Sequence, residues 1–414
     1  MRILVIGINY APEIIGIGEN TTQLCEYLVS LGHRVKVITA FPHYPEWKVR
    51  PAYRGRLFMR ETINGVSVYR GYSLIPRVST RALQRILHDT TSATSALIIG
   101  LFLPRPDIVL SISPPLQGGA AGYFLARLKR SPFILQVKDL VPDLAISLGI
   151  LKDNMWLKIG KKLEMFVYSK AAGILLICQG FVDNLKAKGV PERKIHLLPN
   201  WVDLNQIKPL DRNNNFRKTN MLQNKFVALY SGNMSAKQKL INVVSAARYL
   251  LGYEDILFIL AGGGPQKKDL QREASSEENI RFMPLQPAET FPLMLASADL
   301  LILNQNSGVI DMVIPYKMLV YMSAGRPIVA SAHPDSETAR YIRIAGCGIV
   351  VPPEKPRELA EAVLALHNDE KMSTRLGRNG RKYAEGNFDR ESILTDYNKY
   401  FIQIAGLKDQ PSKK

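Results

Sequence analysis

Chemistry in this 414-residue chain can be built first around Lys317. The run Asp311–Glu337 reads DMVIPYKMLVYMSAGRPIVASAHPDSE. Pro315 suits the first position of a helix, where its missing N–H costs nothing. Met318, Leu319, Met322 and Ser323 then fall at helical spacing, and Gly325 and Pro327 stop the helix. IVASA reads as a short buried strand, and Ser336 as the cap of a further helix with Glu337 in its first turn. Lys317 therefore sits beside the free N–H groups of a helix start, and a lysine at a helix N-terminus suits a diphosphate. Two glycine-rich turns stand between strand and helix patterns, where a backbone can turn sharply and approach a ligand. One holds Gly16 and Gly18 in GINYAPEIIGIG; the other holds Gly262 to Gly264 in LAGGGPQKKDL. Neither has G-x-G-x-x-G spacing, and each also fits an ordinary tight turn. None of the six histidines has a partner at i+4 or a cysteine cluster nearby, and no D-x-D triplet occurs. No metal site is expected.

The pattern P-x-K-x-L-x-Y-M-x-x-G-R-P-I-V-A-S, followed by S-E-T-A, resembles the donor site of retaining GT-B glycosyltransferases of family 4 (group 1). The likeness is to the bacterial colanic-acid, exopolysaccharide and O-antigen branch. It implies an α/β fold of two doubly wound Rossmann-like domains with a deep interdomain cleft. It also implies a nucleoside-diphosphate sugar as donor and no cofactor. By the same resemblance Gly16 and Gly18 face the donor diphosphate. In YSGNMSAKQKL, Gly232, Asn233 and Lys237 match the donor loop, with asparagine where arginine is usual. Lys237 would hold a phosphate oxygen as a point charge; the bland reading is a solvated lysine at a helix start. Gly264 lies in the family's G-x-G-P turn, and Met283 and Leu285 in the loop passing the nucleobase.

The chain departs from the wider family at two positions. Relatives carry two glutamates with seven residues between them, and here those positions are Met312 and Val320. Asp311 is the candidate for sugar recognition instead, and Glu337 for the ribose hydroxyls, although Glu337 could simply stabilise a helix start. In FILQVKDLVPD, Lys138 and Asp139 occupy the place of the family's usual histidine. Asp139 could accept a hydrogen bond from the donor sugar or orient the acceptor hydroxyl; a helix cap is the plainer alternative. In retaining front-face transfer the leaving phosphate is usually the base, so Asp139 need not be one. Asp139, Lys237 and Lys317 are the catalytic candidates. Lys138, with His43 in FPHYPEW, is a candidate for acceptor binding.

These residues need elements to hold them. RILVIGI, an amphipathic helix over GENTTQLCEYLVSLG, and RVKVITA make a β-α-β opening of about 40 residues. VSVYRG, DIVLSIS, FILQVKD and AGILLIC continue as strands. After a polar stretch the pattern restarts with FVALYSG, DILFILAG, IRFMPL, DLLILN, PIVASA and GIVV. The expected organisation is a first, acceptor-binding domain over 1–206, a linker over 207–223, and a nucleotide-sugar domain over 224–386. A helix over 387–405 crosses back to the first domain, as the resemblance implies, before a polar tail over 406–414.

Lys and Arg number 54 against 36 Asp and Glu, a net charge of +18. Such a charge calls for an acidic partner. Basic-aromatic interleaving, zinc spacing and helix-turn-helix patterning are absent, so nucleic acid is not expected. Diphosphate substrates and an anionic membrane face fit better. RVSTRALQRILHDTTSATSALIIGLFLPR, apolar toward its end and basic at both flanks, could be a core helix or a membrane-surface patch, with KRS and WLKIGKK nearby. No apolar run of about 18 residues and no signal-peptide core are present, and three unpatterned cysteines suit a reducing compartment. The expectation is a cytoplasmic enzyme, peripheral on the inner membrane face. It would move sugar to a polyprenyl-diphosphate-linked saccharide with retention. Two alternatives are a nucleotide-sugar 2-epimerase of the same fold and a non-catalytic nucleotide-binding partner.

Overall fold

In the computed structural model, all residues are described except 14–15, 45, 77–81, 141–154, 309–314 and 408–414. The chain divides into two compact units, Met1–Leu198 with Leu394–Lys414, and Pro199–Ile393.

The first unit is an eight-stranded sheet. Its strands are β1 (Arg2–Ile6), β2 (Arg34–Ala40), β3 (Phe58–Ile63), β4 (Val66–Gly71), β5 (Ile108–Ser113), β6 (Phe133–Val137), β7 (Gly173–Leu176) and β8 (Ile195–Leu197), with α1 (Ile17–Ser30), α2 (Ala82–Phe102), α3 (Leu116–Leu128), α4 (Met155–Lys170) and α5 (Gln179–Ala187). The spatial order is β3-β4-β2-β1-β5-β6-β7-β8, parallel throughout except for β3 against β4. The strands β5, β6 and β7 are buried along their whole length, as expected of parallel strands covered on both faces. The chain reverses direction across the sheet between β1 and β5.

The second unit begins with α6 (Asn215–Thr219). It continues through β9 (Phe226–Asn233), α7 (Ile241–Arg248), β10 (Ile256–Gly263), α8 (Lys267–Glu273), β11 (Ile280–Met283), α9 (Phe291–Ser297), β12 (Leu300–Asn304), α10 (Tyr316–Ser323), β13 (Ile328–Ser331), α11 (Glu337–Ala345), β14 (Gly348–Val351), α12 (Pro356–Asn368) and α13 (Glu370–Asn387). Its six strands are parallel in the order β11-β10-β9-β12-β13-β14. That is the 3-2-1-4-5-6 order of dinucleotide-binding folds, with its switch point between β9 and β12. The core packs Leu240, Val243 and Val244 against Ala228, Tyr230 and Phe258. The last helix, α14 (Arg390–Ile404), spans the boundary, and from Leu394 it belongs to the first unit. There Tyr397 accepts from Gln136 Nε2 at 2.5 Å and donates to Leu198 O at 3.3 Å.

Two elements differ from expectation. The polar stretch 207–223 is folded into the second unit. Asn214 caps α6, accepting from Phe216 N and Arg217 N at 2.9 and 3.2 Å. Arg217 is fully buried and donates to Ser297 O at 2.6 Å and to Asp299 at 3.2 Å. A cluster of polar residues therefore marks a capped, ion-paired corner. The unit boundary falls earlier, after Leu198. Within 41–72, β3 and β4 form a hairpin across Asn64 and Gly65, at φ 46° and 81°. Asn-Gly is the strongest short-range hairpin signal.

Candidate active site

The second unit opens at its switch point. The strands β9 and β12 pair only at Ala228–Leu300 and Leu229–Leu301. Beyond Leu229, β9 runs on to Asn233 with β10 as its sheet partner. The Ser231 main chain, left without a neighbouring strand on that side, is satisfied by a side chain. Tyr321 Oη of α10 accepts from Ser231 N at 2.9 Å and donates to Ser231 O at 3.1 Å. This buried phenol holds the strands apart, and burial pushes its pKa up.

Lys317 fills the opening. It lies in the first turn of α10, after Pro315, which occupies the cap position in place of the expected first helical position. Its Nζ donates to Tyr230 Oη at 2.8 Å and stands 4.2 Å from the centre of that ring. Tyr230 Oη in turn donates to Asn233 O at 2.6 Å. The ammonium thus has a neutral hydrogen-bond acceptor and a ring face, and among the described residues it forms no ion pair. Burial, with the charge of Lys237 as the lesser cause, lowers its pKa to about 8. Two cations sharing one site, with no described acid beside Lys317, make a place for an anion.

Glycine keeps this place clear. Gly232 has φ 144°, and a Cβ there would lie 2.8 Å from Lys317 Nζ. A Cβ on Gly262 would meet Gly232 O at 2.0 Å, and one on Gly264 would meet Asn233 Oδ1 at 2.4 Å. The ends of β9 and β10 are therefore bare backbone. Lys267 Nζ fastens the edge beyond, donating to Gly262 O at 2.9 Å and Met283 O at 3.3 Å. Met283 is buried, whereas Leu285 is 72% exposed on the loop that follows.

The turn carrying Lys237 is held from β12. Asn304 Nδ2 donates to Gln238 O at 2.7 Å and Lys239 O at 3.1 Å, and its Oδ1 accepts from Asn242. Asn306 N donates to Lys237 O at 2.9 Å. Glu354 accepts from Ser307 Oγ at 2.6 Å and pairs with Lys239 at 3.2 Å. At the neighbouring strand end, Ser336 caps α11 by accepting from Ala339 N at 3.2 Å. Glu337 is buried in the first turn of α11, 3.6 Å from Arg340. Val320, where relatives carry glutamate, is buried in α10. Asp311 lies outside the described residues.

In the first unit, β1 leads through Gly7 into a loop folded on the start of α1. Gly16, at φ 65°, precedes the helix. A Cβ on Gly18 would stand 3.0 Å from Glu13 O. Glu13 anchors this loop: Oε1 accepts from His43 N and Tyr44 N, and Oε2 from Asn9 Nδ2, all at 2.7 Å. His43, the acceptor-binding candidate in the loop after β2, has a side chain only 2% exposed. Its Nδ1 is 2.9 Å from Phe41 O, and its ring is edge-on to His88 at 4.8 Å. The reason is Glu13, whose two main-chain hydrogen bonds draw the loop inward. Burial and His43 together lower the His88 pKa to about 4. Lys138 and Asp139 follow β6, with Lys138 N on Ser113 O at 2.8 Å. Burial lowers the Lys138 pKa to about 7, opposed by Asp139. Asp139 is half-buried. Pro142 and Asp143 lie outside the described residues.

Residues 211–383 match the family described as glycosyl transferases group 1, and residues 16–201 match the glycosyl transferase 4-like domain. Residues 211–383 are a group 1 glycosyltransferase domain. The transferase is 29% identical over 408 residues to the putative colanic acid biosynthesis glycosyl transferase WcaI of Escherichia coli K12, covering 96% of this chain and 98% of that one. Its fold is that of sucrose-phosphate synthase from Thermosynechococcus elongatus, with TM-score 0.76 at 15% identity over 98% and 99% of the two chains. It is also that of Anabaena HepE in complex with UDP-glucose, with TM-score 0.69 at 14% identity over 97% and 100%. Both are GT-B architectures of paired α/β units. Among the described residues of the transferase, no helix is long and apolar enough to cross a membrane, and no His, Cys, Asp or Glu cluster could hold a metal.

Sequence reasoning missed Tyr230, Tyr321, Glu13 and Lys267. Tyr230 had a usable signal: it precedes Gly232 by two in a strand, so both face the same side. The roles of Tyr321, Glu13 and Lys267 depend on how loops fold back, and spacing carries no trace of that.

Proposed function

We propose that this transferase moves a sugar from a nucleoside-diphosphate sugar to a polyprenyl-diphosphate-linked saccharide in surface-polysaccharide assembly, with retention and without a metal. The observation that carries the donor reading is Lys317, at the start of α10 and over the bare backbone of Gly232, with the charge of Lys237 acting on it. Such a site offers two cations, main-chain N–H groups and a helix dipole to a diphosphate. These groups do for the leaving phosphate what a divalent cation does elsewhere. They neutralise charge as it grows on the oxygen during cleavage of the glycosidic bond.

The UDP-glucose held by HepE supports a nucleotide-sugar donor. The name of the Escherichia coli relative supports a place in exopolysaccharide assembly. In this reading the diphosphate lies over Gly232 and Gly264, and the base passes the loop of Met283 and Leu285. Asp311 serves the sugar hydroxyls and Glu337 the ribose hydroxyls. Asp139 orients the reacting hydroxyl, and Lys138 stands beside it as a buried amine. The acceptor is presented at the inner face of the cell membrane, which makes the enzyme cytoplasmic and peripheral. Epimerisation and nucleotide binding without turnover are not favoured by the match to transferase families.

The test is transfer from a panel of nucleotide-sugars to polyprenyl-diphosphate-linked saccharides in EDTA, with the anomeric configuration of the product read by NMR. Retained configuration in EDTA is expected. Inversion, or loss of turnover on chelation, overturns the corresponding part of the reading.

A further inference from the structure

The loop from β2 to β3 holds one residue in a conformation its side chain does not favour. Trp47 has φ 53°, in the left-handed region where glycine is at ease and a bulky side chain is an outlier. Such strain persists only where the surroundings over-determine it, and it gathers at ligand sites. Here the surroundings are firm. Lys48 N donates to His43 O at 3.2 Å and Arg50 N to Pro42 O at 3.1 Å, which closes the loop on itself. The buried rings of His43 and His88 stand 5.5 and 5.7 Å from the indole. A glycine at this position would make the same turn without strain. What the strain gains is the placing of an indole.

The indole stands at the carboxyl end of the sheet, where ligands bind in open α/β folds. Trp47 is half-buried, and Tyr44, 36% exposed, lies edge-on to it at 6.1 Å. The two rings make an aromatic surface that water reaches. Beside it is positive charge. The guanidinium of Arg85, exposed on α2, is 4.5 Å from the centre of the Trp47 ring. The segment 46–56 carries Lys48, Arg50, Arg54 and Arg56 against one acid, Glu46. Among the described residues, Arg85 and these four basic residues form no ion pair. Asp89, four residues beyond Arg85 on α2, is the acid that acts on it; burial pushes the Asp89 pKa up to about 7, opposed by Arg85. His88, lowered to about 4 by burial first and then by His43, adds no charge at neutral pH. An aromatic surface beside an excess of cations matches a ligand that joins an apolar face to an anion.

We infer that Tyr44, Trp47 and Lys48, with Arg85, recognise a glycosyl diphosphate, the C–H face of its sugar lying on the two rings and its phosphates meeting Arg85 and Lys48. The inference rests on the polyprenyl-diphosphate-linked acceptor proposed above, and it names the residues that read it. The negative face of an aromatic ring attracts the polarised C–H groups of a pyranose, and a guanidinium takes phosphate oxygens as a fork. His43, buried in the same loop, supports Trp47 and does not touch the ligand.

The experiment titrates the full chain with farnesyl-diphosphate-linked glucose, galactose and N-acetylglucosamine, with the methyl glycosides of the same sugars, and with inorganic diphosphate. Transfer to each glycosyl diphosphate from a panel of nucleotide-sugars is measured alongside. At least one glycosyl diphosphate is expected to bind, more tightly than its methyl glycoside and than inorganic diphosphate. Arg85→Gln weakens it by on the order of tenfold and leaves the methyl glycoside unchanged. Trp47→Gly, which suits the backbone, weakens both by on the order of tenfold. Acceptor KM follows these affinities, while kcat and the donor Kd stay. Unchanged acceptor affinity in both variants overturns the proposal, as does failure of every glycosyl diphosphate to bind the wild type. Inorganic diphosphate binding as tightly as the glycosyl diphosphate reduces the loop to an anion site and also overturns it. A Trp47→Gly variant with a lowered melting temperature and unchanged acceptor affinity makes the strained indole a packing device, against the proposal. Equal loss of donor and acceptor binding does the same. The transferase reading fails separately. Probes that bind through Arg85 and Trp47 without turnover keep this site and sink transfer; turnover with unchanged acceptor KM in both variants does the reverse.

Discussion

The lowered pKa of Lys317 makes donor affinity depend on pH in a defined window. In the free protein, burial and Lys237 hold this amine near 8, against an ordinary 10.5. A bound diphosphate supplies the missing negative charge and returns the pKa toward 10.5, because an opposite charge within a few ångströms favours the protonated form. The sign follows from linkage. Below pH 8 the amine is charged in both states, and Kd is flat. Between 8 and the raised value the free protein has lost a proton that the complex must regain, so Kd rises about tenfold per pH unit. At pH 9 affinity is roughly a tenth of that at pH 7. The assay is isothermal titration with an intact nucleotide-sugar, whose diphosphate diester does not titrate in this range. Two buffers of different ionisation heat report the proton taken up. In Lys317→Met the slope disappears and binding is weak at every pH. A wild-type Kd unchanged from pH 7 to 9, with no proton uptake, refutes the placement of the diphosphate on Lys317. The same lowered pKa makes folding stability rise with pH between about 8 and 10.5, since the unfolded chain binds the extra proton there.

Three substitutions extend the test. Gly232→Ala forces a β-carbon onto Lys317 Nζ at φ 144°; backbone strain of about 1–3 kcal/mol appears as a lowered melting temperature together with loss of donor affinity. Asp139→Asn keeps the size of the side chain and removes its charge, so kcat falls while the donor Kd measured by titration stays; retained turnover removes Asp139 from the chemistry. Glu337→Gln weakens donor affinity if the carboxylate meets the ribose, whereas an unchanged Kd with a small loss of stability makes Glu337 only a helix-start charge worth about 0.3–1 kcal/mol.

Much of the second unit was legible because its physics is local. Pro315, Gly325 and Pro327 bracket α10, and the strand and capped helix after it follow from apolar runs and from Ser336. Lys317 could be placed in the first turn from spacing alone. Its phenol partner could not, since Tyr230 lies 87 residues earlier in the chain. The linker over 207–223 was misread because polar composition marks both loops and buried ion-paired corners, and only the packing of Arg217 on Asp299 tells them apart. The burial of His43 was not legible for a related reason: a histidine between prolines looks like a loop tip until Glu13, 30 residues away, binds its main chain. The Asn64-Gly65 hairpin, by contrast, was a local signal that was passed over.

The central claim is a diphosphate site built from lysines and main chain, with no metal. The most direct measurement is the thermal shift of wild type, Lys237→Met and Lys317→Met with GDP-, UDP-, dTDP- and ADP-sugars, with and without EDTA. A shift of several degrees for one nucleotide class, unchanged by EDTA and lost in both variants, is the predicted result. A shift that requires added divalent cation, or that survives both lysine substitutions, contradicts it.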